Sequence, residues 1–275
     1  MNSLPLVSIA LASYNGEKFI QELLDSLISQ TYKNIEIVVS DDCSKDGTLE
    51  ILNRYPSVKV LKNEANLGFV KNFENALKET KGDYIALCDQ DDVWLPEKIE
   101  TLVKEIGDNS LIHSEAYLID EDGKTISNTA SSKVKRFLQN KSFLDYLKTN
   151  SVIGCTSMIT KELRDAALPF PKDAPYHDWW LAICASKTGT IKYLDTPLIK
   201  YRYHASNASF NYYKSKKVFV KKSKNFYKEI YERFKPFLSF RERLILKSYT
   251  MYFFIFSRLL IKLGVFSPKN KGNAK

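Results

Sequence analysis

Asp89-Gln90-Asp91-Asp92 places three carboxylates within four residues, directly after the apolar run Tyr84-Ile85-Ala86-Leu87-Cys88. Like charges this close repel one another, so the run favours a bound cation. Hard oxygen ligands with room left for phosphate suit Mg²⁺ or Mn²⁺. The same run fits a solvated acidic turn ahead of the helix that Pro96 opens, so taken alone it leaves both open. Neither GxGxxG nor a GxxxxGKS or GxxxxGKT loop occurs, so phosphate would be met by a metal rather than by a glycine-rich cradle. Asp41-Asp42 holds one acid more than a helix N-terminus needs. His177-Asp178-Trp179-Trp180 joins a titratable pair to two indoles. A carboxylate at a helix start can serve as general base, and an indole can stack on the CH face of a sugar. The competing assignment is a capping Asp on a helix whose tryptophans are core. His204 closes Tyr201-Arg202-Tyr203; an imidazole is a good third ligand for Mn²⁺, but a lone His is more often structural, and the residues alone favour that reading.

Parallel strands followed by helices would position these groups. Leu6–Leu11 is a continuous apolar run, read as the first buried strand, and Ala12-Ser13-Tyr14-Asn15-Gly16 as its loop. Phe19, Ile20, Leu23, Leu24, Leu27 and Ile28 recur at helical spacing across 17–30. Glu36–Ser40 is a second strand, Val58–Leu61 a third, and 69–80 a helix with Phe69, Phe73 and Leu77 on one face. The run before Asp89 is the fourth strand. This alternation predicts βαβ units and a mostly parallel sheet. The first strand then delivers Ser13, Tyr14 and Glu17, the second Asp41 and Asp42, and the fourth Asp89 and Asp91, all to the rim where open α/β sheets bind ligands. Beyond it come a helix over 96–106, strands at 111–113 and 116–119, a turn at Asp122-Gly123 and an exposed loop through 140. A short helix over 142–149, a strand over 151–159, a helix opening near Asp178 and strands at 191–194 and 198–203 follow.

Four cysteines without a CxxC pattern suit a reducing compartment, and Met1–Leu6 lacks the features of a secretory leader. No apolar stretch is long enough to span a bilayer. Residues 211–275 hold 17 Lys and Arg against 3 acids, a net +14 of the chain's +9, so residues 1–210 are mildly acidic. The division is a domain over 1–207 and a basic, aromatic helical extension over 208–275. The Lys216–Lys224 cluster and the uncharged run Tyr249–Phe256 predict docking of 211–266 on an anionic membrane. The alternative is packing on the catalytic domain or on a second subunit in a homodimer.

The set Ala12-Ser13-Tyr14-Asn15, Ser40–Thr48, Asn66-Leu67-Gly68 with Asn72, Gly82–Ile85, Asp89–Trp94, His177-Asp178-Trp179 and Tyr201–His204 closely resembles family 2 glycosyltransferases of the GT-A (Rossmann-like) fold, most of all a bacterial rhamnosyltransferase-like branch, over about residues 6–207. The resemblance implies that Ala12, Ser13, Tyr14 and Glu17 line a nucleoside site and that Asp42, with Asp41 beside it, meets the base. It implies Asn66, Gly68 and Asn72 beneath the nucleotide, Asp89 and Gln90 at its ribose or diphosphate, Asp91 and His204 on a divalent cation, and Asp178 as catalytic base. Asp92, Trp94, Gly154, His177, Trp179 and Trp180 would meet the donor or acceptor sugar. Cys43 stands where glycine is common, and His177 where glutamate often stands. The implied activity is inverting, Mn²⁺- or Mg²⁺-dependent transfer from a UDP- or dTDP-sugar to a glycan or lipid-linked acceptor. It would act in the cytoplasm or at the inner face of the membrane, without nucleic acid. A sugar nucleotidyltransferase would carry a glycine-rich phosphate loop, which is absent. A nucleic-acid-binding role for the tail is opposed by the acidic rim.

Overall fold

The structure, a computed structural model, describes residues 4–130, 141–204, 207 and 216–262, except the side chains of 216–224 and 253–262. The end of the expected loop at 131–140, the Lys216–Lys224 side chains and the apolar run beyond Tyr252 lie outside what is described. The chain divides into two compact units: Met1–Phe170 with Tyr176–Asn207, and Pro171–Pro175 with Ala208–Lys275.

The first unit is built on a nine-stranded mixed sheet, β1 Val7–Ser13, β2 Ile35–Asp41, β3 Val58–Lys62, β4 Tyr84–Asp89, β5 Val93–Trp94, β6 Leu111–Ile119, β7 Thr125–Ser127, β8 Ser157–Thr160 and β9 Ile191–Arg202. The order is β3-β2-β1-β4-β8-β6-β9-β5, with β7 on β6. The first four strands are mutually parallel. Parallel pairing returns only at β6–β9, because β8 runs antiparallel to both β4 and β6. β1 is central, and its Val7, Ile9, Ala10 and Leu11 are wholly buried. Its last residues face the ends of both neighbours, Ser13 opposite Asp41 and Ala12 opposite Asp89. That register brings three loops to one edge.

Helices α1 Ile20–Ile28, α2 Thr48–Leu52, α3 Phe69–Lys78, α4 Lys98–Glu105, α5 Phe143–Lys148, α6 Lys161–Ala167 and α7 His177–Thr188 flank the sheet. α1 buries Ile20, Leu23, Leu24 and Leu27, the stripe expected from its spacing. α3 starts after Gly68, whose φ of 84° is open to glycine at little cost. Ser142 and Asp145 form a capping box on α5.

Three strand expectations change. The pairs expected at 111–119 and 191–203 are single strands, each with a register shift near Glu115. The buried Glu115 carboxylate accepts the Ala116 and Ala130 N–H groups at 2.8 and 2.9 Å, which holds the irregularity. Of the strand expected over 151–159 only the end is extended. Gly154–Thr156 is a 3₁₀ turn, fixed by the Thr156 hydroxyl on the Ile153 carbonyl and the Ser157 hydroxyl on the Gly154 carbonyl. The turn at Asp122-Gly123 forms as expected, with Gly123 at φ 83° between β6 and β7.

In the second unit α8 Lys216–Phe234 leads through a 3₁₀ turn, Lys235–Phe237, into α9 Phe240–Lys262. Phe226, Ile230, Phe234, Leu238 and Leu246 are buried. Ser239 and Glu242 cap the start of α9 reciprocally.

Candidate active site

One wall is made by the loops after β1, β2 and β3. Asp42 is buried and bonded through both oxygens. Oδ1 accepts the Leu67 N–H at 2.8 Å and the Asn63 amide at 3.0 Å, and Oδ2 accepts the Gly68 N–H at 2.8 Å. Asn72 donates to the Ser13 carbonyl at 3.0 Å and accepts from Asn63 at 3.0 Å. Asn66 lies at the surface of the same turn, its amide oxygen accepting the Gly68 N–H. Gln90 and the Tyr14 backbone exchange two hydrogen bonds, 2.7 and 3.0 Å, while the Tyr14 ring stays exposed. That leaves an aromatic face free to stack beside the pinned loop. The Glu17 carboxylate accepts the Gly47 N–H at 2.9 Å, tying the β1 loop to the start of α2. Cys43 adopts φ 66°, the left-handed region that favours glycine, at the position where glycine is common in the family that the motifs resemble.

The floor is the acidic run. His204 Nε2 lies 2.8 Å from Asp91 Oδ2, and the Asn207 amide donates to the same oxygen at 3.2 Å. Asp89, Asp92 and the Cys155 thiol place one ligand atom each within 4.8 Å of one another. Burial, then repulsion from Asp92, Asp91 and Asp178, raises Asp89 well above the usual carboxylate range. Burial and then Asp91 push Asp92 up to about 7, and hydrogen bonds from the Cys155 thiol and the Arg202 N–H restrain the rise. A carboxylate oxygen and an imidazole nitrogen converging beside underneutralised carboxylates fit a divalent ion of the Mn²⁺ or Mg²⁺ type.

Two basic side chains that the sequence did not single out hold this floor. Arg202 is 2% exposed. Its Nε donates to the Asp91 carbonyl at 2.8 Å, its Nη1 to the carbonyls of Asp120 and Glu121, its Nη2 to Glu22 at 2.7 Å, and its backbone N–H to Asp92 Oδ1 at 2.9 Å. Arg202→Met should therefore lower stability by about 3 kcal/mol, read from a chemical melt, because several buried acceptors lose their donor. Lys98 is wholly buried, its Nζ donating to the Cys155 carbonyl at 2.5 Å and lying 3.4 Å from the Trp94 ring centroid. Burial lowers its pKa to about 8, against the pull of the neighbouring thiols and of Asp92 and Asp89. It places positive charge beneath the carboxylates.

Asp178 stands in the first turn of α7. Its Oδ1 accepts the Trp179 N–H at 2.6 Å and the Asn150 amide at 2.9 Å, and its Oδ2 accepts the Gly154 N–H at 3.1 Å. Burial pushes it up to about 7, and those three donors restrain the rise. Gly154 thus holds Asp178 while the next residue, Cys155, reaches Asp89 and Asp92. The Phe69 ring, one residue past Gly68, packs at 5.8 Å on Tyr176, so α3 and α7 close the rim.

The model of the family described as Glycosyl transferase family 2 matches residues 8–166, more than half of the chain. The chain belongs to glycosyl transferase family 2. It is a glycosyltransferase. Escherichia coli WfaP, a UDP-Glc:alpha-D-GlcNAc-diphosphoundecaprenol beta-1,3-glucosyltransferase, is 32% identical over 214 residues, covering 76% of this chain and 82% of its own. Bacillus subtilis TuaG, a putative teichuronic acid biosynthesis glycosyltransferase, is 29% identical over 222 residues, covering 78% and 85%. Among solved structures, S. aureus TarS 1-349 in complex with UDP-GlcNAc superposes with a TM-score of 0.68 at 23% identity, covering 92% of this chain and 74% of its own. The mannosyltransferase PcManGT from Pyrobaculum calidifontis, with GDP-Man and Mn²⁺, gives 0.60 at 17%, covering 98% and 76%. These likenesses show the same α/β fold.

Within this family 2 glycosyltransferase, several expected ligand contacts are placed elsewhere. Asp41 is fully buried and spends its oxygens on the Ser13 hydroxyl (2.9 Å), the Ser44 hydroxyl (2.6 Å) and the Ser44 N–H (2.9 Å), so it clamps the rim from inside. Trp94 is 2% exposed in the main core cluster, under α4. Trp180 is wholly buried, its indole N–H on the Ala167 carbonyl at 2.9 Å. Trp179 is only partly buried and donates to the Tyr146 carbonyl at 2.6 Å. His177 stacks on Phe73 at 3.7 Å behind Gly154, and burial lowers its pKa to about 3, so it is neutral. A Cβ at Gly154 would stand 2.5 Å from His177 Nε2 and 3.5 Å from the Asp178 Cβ. Gly154→Ala should cost ~1–3 kcal/mol of overpacking and depress kcat by shifting Asp178, checked by thermal melts beside initial rates.

Proposed function

We propose that this glycosyltransferase moves a sugar with inversion from a nucleoside-diphosphate sugar, UDP- or dTDP-linked, to a hydroxyl of a glycan or lipid-linked acceptor in bacterial surface polysaccharide synthesis, at the cytoplasmic face of the membrane. The observation that carries this is the pairing of two carboxylate environments through adjacent residues, Gly154 on Asp178 and Cys155 on Asp89 and Asp92. One environment suits a base poised near neutral pH, and the other borders the Asp91 and His204 pair that would hold a cation.

The Tyr14 ring and the Asp42-bound turn flank the nucleoside, with Asn66, Gly68 and Asn72 beneath it. Glu17 and Ala12 shape the loop, and Gln90 locks it. Asp178 takes the proton from the acceptor hydroxyl. That oxygen attacks the anomeric carbon from the face opposite the diphosphate, and the C–O bond to the diphosphate breaks with its electron pair leaving on phosphate. Asp91 and His204 would hold a divalent ion, which would supply positive charge to the departing diphosphate. Trp179, partly exposed beside Asp178, borders the reacting sugars, with Asp92 and Gly154 buried behind them. The lipid-linked substrate in the WfaP name and the Mn²⁺ in the PcManGT complex support this assignment. A screen of nucleotide sugars for Mn²⁺-dependent diphosphate release tests it; thermal stabilisation by none of them would reject it.

A further inference from the structure

We propose that the tip of the second unit's helical hairpin and the outward face of α9 form a docking surface for an anionic lipid bilayer. Phe237 and Phe240 are 71% and 78% exposed, although a Phe normally removes its ring from water. Leu244 and Met251 are also exposed. At 100° per residue Phe240, Leu244 and Met251 fall within one narrow stripe, which runs about 16 Å along the helix. The stripe lies opposite the face that packs on α8, where Leu246 is buried and Tyr249 meets Tyr227 at 5.1 Å. The helix is therefore apolar on two sides, and packing within the hairpin uses one of them.

The charges around the stripe choose the occupant. Lys235, Arg241, Arg243 and Lys247 are exposed at its margins, and Glu242 is the one acid in the α9 sequence. The Glu242 carboxylate caps the helix through Ser239. A second copy of this surface would set four cations against four, whereas anionic headgroups complement all of them. No helix among the described residues is long and apolar enough to cross a membrane, so the element would lie on the bilayer, aromatics in the acyl boundary and cations among the phosphates. The surface is separate from the transferase chemistry and stands or falls without it. Its aromatic anchors, Phe237 and Phe240, are not the Tyr249–Phe256 run that the sequence favoured.

The full chain should float with phosphatidylcholine vesicles containing phosphatidylglycerol and not with phosphatidylcholine alone. Phe237→Ser with Phe240→Ser should weaken that partition by at least about tenfold, since each ring contributes an order of magnitude or more. Helical circular dichroism should be unchanged. Separately, Phe240→Trp should show a blue-shifted emission on adding the anionic vesicles. Equal flotation of the double serine variant would overturn the proposal. So would failure of the parent chain to float, or an emission from the Phe240→Trp variant that ignores lipid. A concentration-dependent dimer abolished by the double variant would assign the face to a second copy instead and equally overturn it.

Discussion

Asp178→Asn is expected to lower kcat by ~10²–10⁴-fold while leaving donor binding unchanged, because it removes a general base and little else. The side chain is held by three N–H donors from Trp179, Gly154 and Asn150, so its position is fixed before any substrate arrives. Parallel measurements of diphosphate release and of donor affinity by calorimetry check this. A matching loss of donor affinity would make the residue structural. The same carboxylate predicts the acid limb of the rate profile. Burial raises its pKa to about 7, so the basic form is depleted as pH falls below that value. kcat/KM should then drop about tenfold per pH unit on the acid side. The glutamate variant, one methylene longer, should keep a residual acid limb, whereas the asparagine variant should have none.

Removing the divalent ion should abolish transfer, and Mn²⁺ or Mg²⁺ should restore it. Asp91→Asn should raise the metal requirement by at least about 10–100-fold, the scale set by losing even an outer-shell partner of a metal. His204→Ala should act in the same direction. The structure gives the reason for a large effect. Asp91 and His204 already converge to 2.8 Å, and Arg202 fixes the Asp91 backbone from behind. Asp92 is buried and Asp89 partly so, both among like charges with Lys98 packed beneath them, so the floor is underneutralised without a metal. Full turnover in chelator would contradict the assignment.

Much of the sheet was legible in the sequence, since β1, β2 and β4 are mostly apolar runs ending in polar loops. Those runs alone put Ser13, Asp42 and Asp89 at one edge, and the register agrees. β5 is not legible in the sequence because two residues carry no periodicity, and its Trp94 is a core residue rather than the ligand contact that the motif implies. The tryptophan pair in α7 shows a second limit. Consecutive helical residues point about 100° apart, so Trp179 and Trp180 could not both line a cleft. Arg202 was hidden for a different reason. Its partners, Glu22, the Asp91 and Asp92 run, Asp120 and Glu121, are far away in sequence, and nothing local marks a buried arginine among tyrosines. The strand alternation of Tyr201-Arg202-Tyr203 was the available signal, because it sends the arginine to the face opposite both rings. Asn63 and Asn150 hold Asp42 and Asp178 across the shorter separations of 21 and 28 residues, again with no local signal.

The most direct test is a titration of free Mn²⁺ by electron paramagnetic resonance, with and without UDP or dTDP. If Asp91, His204 and the nucleoside wall form one pocket, nucleotide will tighten Mn²⁺ binding, and Mn²⁺ will tighten nucleotide binding by the same factor. Asp91→Asn should erase that coupling, and Asp178→Asn should preserve it. Mn²⁺ curves that superimpose with and without either nucleotide would contradict a shared site.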